Sequence, residues 1–122
     1  MLKGSPFHAK TFPLCQSWEW QAWSGYLSAR SYSVVPYMAS YAIRHSAGLI
    51  DVSPLYKYHI HGKDALRVLN KIVTRDLRKF SKGHIMYTPW CDERGKVVDD
   101  GTIWNYGGGA FRLTSAQPSL KW

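Results

Sequence analysis

Two adjacent acids, Asp99 and Asp100, lie in a stretch that otherwise has the composition of a β-strand. Acids are poor strand formers, and successive side chains point to opposite faces, so one of the two must face the packed side wherever a core is present. Counting by twos, Asp100 shares a face with Val98, Thr102 and Trp104. This row of a carboxylate, a hydroxyl and an indole could line a pocket for a planar polar ligand. The structural alternative is that one Asp caps a neighbouring backbone group while the other is solvated.

The elements that must position this row are the two strands of a predicted hairpin. An apolar run at residues 85–91 meets the polar turn D-E-R-G at 92–95, and a second run follows at 96–104. The glycine suits a turn position with positive φ. A two-residue turn places Tyr87 opposite Asp100 on the same face. A bulge at the glycine moves Tyr87 to the other face unless a second distortion compensates.

The rest of the chain predicts a mixture of helices and strands. Apolar side chains three and four residues apart favour helices, whereas strict alternation favours half-buried strands. On these patterns we predict a short helix within residues 17–27, helices over 36–45 and 64–73, a buried strand or turn at 49–52, strands over 55–61 and 111–114, and a helix that opens at Pro118. His59 and His61 are interpreted as exposed strand residues, and no metal site is predicted, because no third ligand is near in the sequence.

Composition and charge limit the classes of protein. The 122 residues are 45% apolar and 15% aromatic, which indicates a folded chain. The net charge of +8 raises nucleic acid as a partner. However, the basic cluster has few aromatics and no recognised motif, and a solvated face is favoured; it comprises Lys71, Arg75, Arg78, Lys79 and Lys82. Two cysteines outside any C-x-x-C pair indicate a reducing compartment. Without an apolar signal segment or membrane span, a cytoplasmic location is predicted.

Three stretches carry a resemblance to a known family: G-L-I-D-V-S-P-L at 48–55, Y-T-P-W-C-D-E-R-G-K-V-V-D-D-G-T at 87–102 and F-R-L-T-S-A-Q-P-S-L-K-W at 111–122. They resemble the amino-terminal part of the aminomethyltransferase family, the T-protein of the glycine cleavage system with its tetrahydrofolate-dependent demethylase relatives. The stretches Y-T-P-W-C-D and D-D-G-T are more similar to the demethylase-like members, because glycine-cleavage enzymes tend to have Leu where Gly101 stands. The implied fold is α+β, an antiparallel sheet with packed helices forming part of the first, folate-binding domain.

The resemblance also implies a site and a function. Asp100 matches the essential carboxylate of the family, and Leu55, Tyr87, Asp100, Thr102 and Trp104 match folate-contacting positions. The implied reaction is transfer of a one-carbon unit from an amino- or methyl-bearing donor, small or carried on a protein, to tetrahydrofolate. A non-catalytic folate-binding module of the same superfamily and a basic RNA-binding fragment are the alternatives.

The same resemblance implies how the chain is organised. Residues 1–31 are expected to be an aromatic-rich extension, and residues 32–122 a folate-binding domain cut short at its carboxyl end. The missing carboxyl-terminal domains are then expected partners. They would contribute an acid, an arginine and further aromatics to the site. The parent protein is expected to be an enzyme, and this chain alone is expected to be inactive.

Overall fold

The computed structural model describes residues 1–116, and the chain divides into two compact units after Pro54. The first unit contains β1 (Lys3–Gly4), α1 (His8–Thr11), a 3₁₀ helix (Phe12–Leu14), β2 (Trp20–Trp23), β3 (Tyr26–Ala29) and α2 (Tyr37–His45). Its three strands form a small sheet in the order β1-β3-β2. The division predicted from the sequence, with an extension of residues 1–31, concerns family organisation and stays a prediction.

A hairpin replaces the short helix predicted within residues 17–27, so that prediction was wrong. Strands β2 and β3 pair antiparallel, with Trp23 opposite Tyr26. The two residues between them, Ser24 and Gly25, have φ values of 47° and 83°. Two successive positive φ values characterise the tight turn whose twist matches paired strands. The helical spacing of Trp20, Trp23 and Leu27 was therefore outweighed by the chemistry of the turn.

The helix predicted over 36–45 is confirmed as α2, with Pro36 at its amino-terminal cap. None of its residues is buried. The segment that follows was predicted to be a buried strand or turn at 49–52, and this was wrong. It forms no strand, and Leu49 and Ile50 are 99% and 67% exposed.

The second unit is built on a four-stranded antiparallel sheet. Its elements are β4 (Tyr56–His61), α3 (Ala65–Ile72), β5 (Ile85–Cys91), β6 (Val97–Gly107) and β7 (Ala110–Ser115), and the strand order is β4-β7-β6-β5. These elements confirm the predicted hairpin, the predicted helix over 64–73 and both remaining strands. The α+β fold with an antiparallel sheet is therefore correct. The helix predicted at Pro118 lies outside the described residues.

One face of this sheet packs into the core. The core cluster consists of Ala65, Leu69, Val73, Leu77, Phe80, Trp90, Ile103 and Phe111. Strand β4 alternates as predicted: Tyr56, Tyr58 and Ile60 are half-buried, and the residues between them are exposed. We call the sheet face turned away from this cluster the outer face; by register it carries Tyr87, Asp100, Thr102, Trp104, Arg112 and Thr114. No helix within residues 1–116 is long and apolar enough to cross a membrane.

Candidate functional site

The two acids separate onto the two faces of β6. Asp99 is 8% exposed and faces the core side, where its Oδ1 accepts the backbone N–H of Asp100 at 2.8 Å. Asp100 is exposed on the outer face, and its carboxylate accepts a hydrogen bond from the hydroxyl of Tyr87. One acid therefore caps a neighbouring backbone group, as the structural alternative proposed. The other acid belongs to a polar pair on the outer face.

The Tyr87 hydroxyl has an altered acidity because of this pair. Its hydrogen bond to the Asp100 carboxylate is the largest cause that raises the pKa of Tyr87 above 10.0, followed by desolvation and by the nearby negative charge. Each cause favours the neutral phenol, since ionisation would place two anions side by side. Tyr87 therefore remains a hydrogen-bond donor to Asp100 throughout the neutral pH range.

Two irregularities in the hairpin bring these side chains to the same face. The turn includes Gly95, with φ 77°, and is closed by the backbone N–H of Asp92 donating to the carbonyl of Lys96 at 2.8 Å. Alone, this turn would put Tyr87 opposite Gly101. A second shift between Trp90 and Cys91 makes Val98 an extra residue on β6, and Tyr87 then pairs with Thr102. The compensating distortion that the site required is present.

Thr102 and Trp104 continue the row along β6. Thr102 lies between Tyr87 of β5 and Thr114 of β7, directly opposite both. Trp104 is half-buried and its ring stacks on that of Tyr106, with centroids 5.2 Å apart and an interplanar angle of 22°. The structure thus brings Tyr87, Asp100, Thr102 and Trp104 onto one face.

Leu55 lies beside this row rather than within it. It is half-buried and immediately precedes β4. The next residue, Tyr56, pairs with Ser115, which in turn pairs with Gly101. Two strand spacings amount to about 10 Å, so strand β7 separates Leu55 from Asp100. A ligand would have to extend across β7 to meet both.

Sequence reasoning missed Arg112 and Tyr106. The Arg112 guanidinium carbon lies 4.8 Å from the ring centroid of Trp104 and 5.8 Å from that of Tyr106. Within residues 1–116, its Nε is buried and has no hydrogen-bond acceptor. The sequence offered no local signal for this contact, because continuing the pairing of Gly107 with Ala110 would set Arg112 opposite Asn105. A register shift between Asn105 and Gly107 sets Arg112 opposite Trp104 instead.

Other features of the described chain offer fewer groups for binding or catalysis than the outer face does. A hollow of about 20 Å³ in the first unit, lined by Ser5, His8 and Asp51 among others, has room for roughly one water molecule. No group of three or more His, Cys, Asp or Glu side chains in the described part of the chain is arranged to hold a metal ion. Both cysteines, Cys15 and Cys91, are free thiols.

Comparison with known proteins gives a family. The sequence model of the GCVT N-terminal domain matches residues 14–121. The chain belongs to the GCVT N-terminal domain family. This confirms the resemblance read from the three motifs, two of which, at 87–102 and 48–55, lie wholly inside the match. The roles of individual side chains in this GCVT domain remain predictions.

Curated relatives of this GCVT domain are named aminomethyltransferase. The protein of Caldanaerobacter subterraneus subsp. tengcongensis is 33% identical over 85 residues, covering 66% of this chain and 23% of the relative. That of Halothermothrix orenii is 38% identical over 66 residues, covering 54% and 18%. The chain therefore spans about a fifth of the length of these relatives.

A solved structure supports the fold. The glycine cleavage system aminomethyltransferase T from Bartonella henselae aligns with a TM-score of 0.78 at 19% identity, covering 99% of this chain and 33% of that one. At this identity the similarity shows the fold alone. The GCVT fold expected from the sequence is therefore present.

Proposed function

We propose that the outer face of β5 and β6 is the tetrahydrofolate-binding surface of a one-carbon transferase. In this reading, a one-carbon unit passes from an amino- or methyl-bearing donor to tetrahydrofolate. The observation that carries the proposal is the hydrogen bond from Tyr87 to Asp100, on the same face as Thr102 and Trp104. Membership of the GCVT N-terminal domain family supports it.

The outer face has the chemical groups that a folate needs. A folate joins a flat, nitrogen-rich ring to an aryl ring, so it requires both aromatic surface and hydrogen-bond partners. Trp104 supplies aromatic surface, and its orientation is held by the ring of Tyr106 and the guanidinium of Arg112. Thr102 and Asp100 supply polar groups, respectively two and four residues from Trp104 along β6.

Asp100 is the catalytic residue in this proposal. Tetrahydrofolate, when bound, supplies the nitrogens that take up the one-carbon unit. The Asp100 carboxylate accepts one hydrogen bond from Tyr87, which leaves further lone pairs for an N–H of the ligand. There it receives or returns a proton and stabilises positive charge that develops on the transferring group. Tyr87 is a positioning residue, because it fixes the orientation of that carboxylate.

The nature of the donor is part of the proposal. A Cβ atom built on Gly101 would lie 2.0 Å from the backbone oxygen of Thr114, so a Leu has no room at this position. The resemblance implies that members of the glycine cleavage system tend to have Leu at this position. Because a Leu does not fit here, the structure supports a donor like those of the demethylase-like members. A non-catalytic folate-binding module would use the same face without turnover. The contribution of Leu55, the donor or carrier protein, the further domains and the cytoplasmic location also stay proposals.

Calorimetric titration of tetrahydrofolate into the chain tests the function. Asp100→Asn keeps the size of the side chain and removes its charge, and we expect binding at least about tenfold weaker, the value of a lost charge-assisted hydrogen bond. Asp64→Asn is the matched control, since Asp64 is an exposed aspartate at the amino-terminal end of α3. Equal affinities for Asp100→Asn and the unaltered chain, or no binding by a folded chain, would contradict the proposal.

A further inference from the structure

Arg112 differs from the other arginines whose contacts the structure describes. The three ion-paired arginines, Arg67, Arg78 and Arg94, each meet an aspartate two or three residues away on an exposed surface. Arg112 instead lies against the rings of Trp104 and Tyr106. In residues 1–116 no acceptor reaches its buried Nε. A guanidinium fixed by aromatic faces and lacking a carboxylate is prepared for an anion from outside the described chain.

The surroundings of Arg112 favour an anionic ligand. Across β4 its register partner is His59, and the neighbouring pairs place Lys57 and His61 on the same face. Thr114 follows two residues later on β7. The acid on this face, Asp100, is four residues from Trp104 along β6, or about 13 Å at the usual rise per residue. The region around Arg112 therefore carries positive and neutral polar groups.

We propose that Arg112, held by Trp104 and Tyr106, is a carboxylate-binding site on the outer face. The carboxylate accepts hydrogen bonds from the Nη–H groups. The ring of Tyr106 lies 5.8 Å from the guanidinium carbon, and this residue is 38% exposed at a register shift of β6. The proposal requires that the buried Nε–H be uncovered on binding, so that it donates to the second oxygen. This two-point contact matches the planar geometry that guanidinium and carboxylate share.

The proposal deepens the proposed function and rests on it for the choice of ligand. Two sources fit the shared chemistry. A folate carries carboxylates at the end opposite its pterin ring, and its extended shape suits two contacts about 13 Å apart along the sheet. A one-carbon donor with its own carboxylate is the second source. In that case Arg112 selects acids over neutral donors.

Arginine side-chain NMR on the ¹⁵N-labelled chain separates these sources. The Nε–H signal of Arg112 is assigned by its loss in Arg112→Lys, which keeps the positive charge and removes the planar fork. Tetrahydrofolate is compared with the amide of tetrahydropteroic acid, which keeps the pterin and aryl rings and carries no carboxylate. Benzoate is compared with benzamide, its neutral counterpart. Arg67→Lys is the matched control, because Arg67 is exposed and already paired with Asp64.

We expect the Arg112 signal to move saturably with a carboxylate and not with its neutral counterpart. A shift with tetrahydrofolate but not with the amide of tetrahydropteroic acid assigns the carboxylate to the folate. A shift with benzoate but not benzamide, while tetrahydrofolate leaves the signal unmoved, assigns it to a small acid. In either case Arg112→Lys weakens binding of that carboxylate about tenfold, and Arg67→Lys leaves its affinity unchanged. The proposal is overturned if no carboxylate moves the signal, or if acid and amide move it equally.

Failure of this site and failure of the proposed function are distinguishable. If tetrahydrofolate does not bind in calorimetry while benzoate moves the Arg112 signal, the carboxylate site stands and the folate function does not. If tetrahydrofolate binds through Asp100 while no carboxylate moves the signal, the folate function stands and the Arg112 proposal is wrong.

Discussion

The hydrogen bond between Tyr87 and Asp100 gives the outer face a dependence on alkaline pH. Since the pKa of Tyr87 is raised in the folded chain, the phenol binds its proton more tightly folded than unfolded. The pair therefore stabilises the fold fully below the ordinary tyrosine pKa of about 10, and this contribution is lost as pH rises through the raised pKa.

A ¹³C-tyrosine NMR titration checks this dependence. We expect Tyr87 to titrate above 10.0 in the unaltered chain, since its hydrogen bond and the neighbouring charge both disfavour the phenolate. In Asp100→Asn both influences weaken, and the pKa of Tyr87 should fall back toward the ordinary value. An unchanged pKa in the variant would show that Asp100 does not hold the Tyr87 proton.

Gly101 is required by close packing between β6 and β7. Because the atom that a Cβ would meet, 2.0 Å away, is the backbone oxygen of Thr114, no side-chain rotation relieves the contact. We expect Gly101→Ala to lower the free energy of unfolding by about 1–3 kcal/mol, measured by urea denaturation. Thr102→Ala, on the outer face of the same strand, should change it by less than about 1 kcal/mol. Equal effects of the two substitutions would refute the packing argument.

Helix α3 shows how far the spacing of apolar residues predicts which of them are buried. The predicted apolar stripe is present, but only part of it reaches the core: Leu69 is 1% exposed, whereas Val68 is 45% exposed. We expect Leu69→Ala to cost about 2–5 kcal/mol of unfolding free energy, because it leaves a cavity in the core. Val68→Ala, its neighbour on the same helix, should cost less than about 1 kcal/mol. Comparable losses in both variants would mean that α3 packs differently.

The hairpin of β5 and β6 shows how much of the candidate site can be predicted from the sequence. Alternation correctly placed Asp100, Thr102 and Trp104 on one face. The position of Tyr87 depended on counting bulges, and the extra residue at Val98 has no signature in the sequence. A single missed bulge moves the predicted side chains of a strand to the opposite face of the sheet. Strand register is therefore the least predictable property of such a site.

Local signals were outweighed elsewhere by turn chemistry and by partners distant in sequence. The helical spacing of the tryptophans favoured a helix, but Ser24 and Gly25 form a tight turn and the segment became a hairpin. Arg112 was overlooked because its importance depends on Trp104 across the sheet, and no local pattern reports that neighbour. The half-buried strand β4 was predicted well, because its alternation of half-buried and exposed residues follows directly from the residue types.

At the scale of the whole molecule, charge does not decide between folate and nucleic acid. In the basic cluster, Arg78 is paired with Asp76 at 2.8 Å, and this hydrogen-bonded contact lowers the pKa of Asp76 to about 2. The positive charge of that cluster is therefore partly neutralised. An RNA-binding function predicts affinity that falls steeply with salt and does not depend on Asp100. The folate function predicts affinity that depends on Asp100 and changes little with salt.

Binding of tetrahydrofolate on the outer face is tested most directly by intermolecular nuclear Overhauser effects between protons of the bound ligand and protons of the chain. We predict contacts to the methyl of Thr102 and the indole of Trp104. No contact is expected to the methyls of Ile103, which is 0% exposed on the core side of the same strand. Contacts confined to the first unit or to residues 71–82, or none at saturating ligand with the chain folded, would contradict a folate site on the outer face.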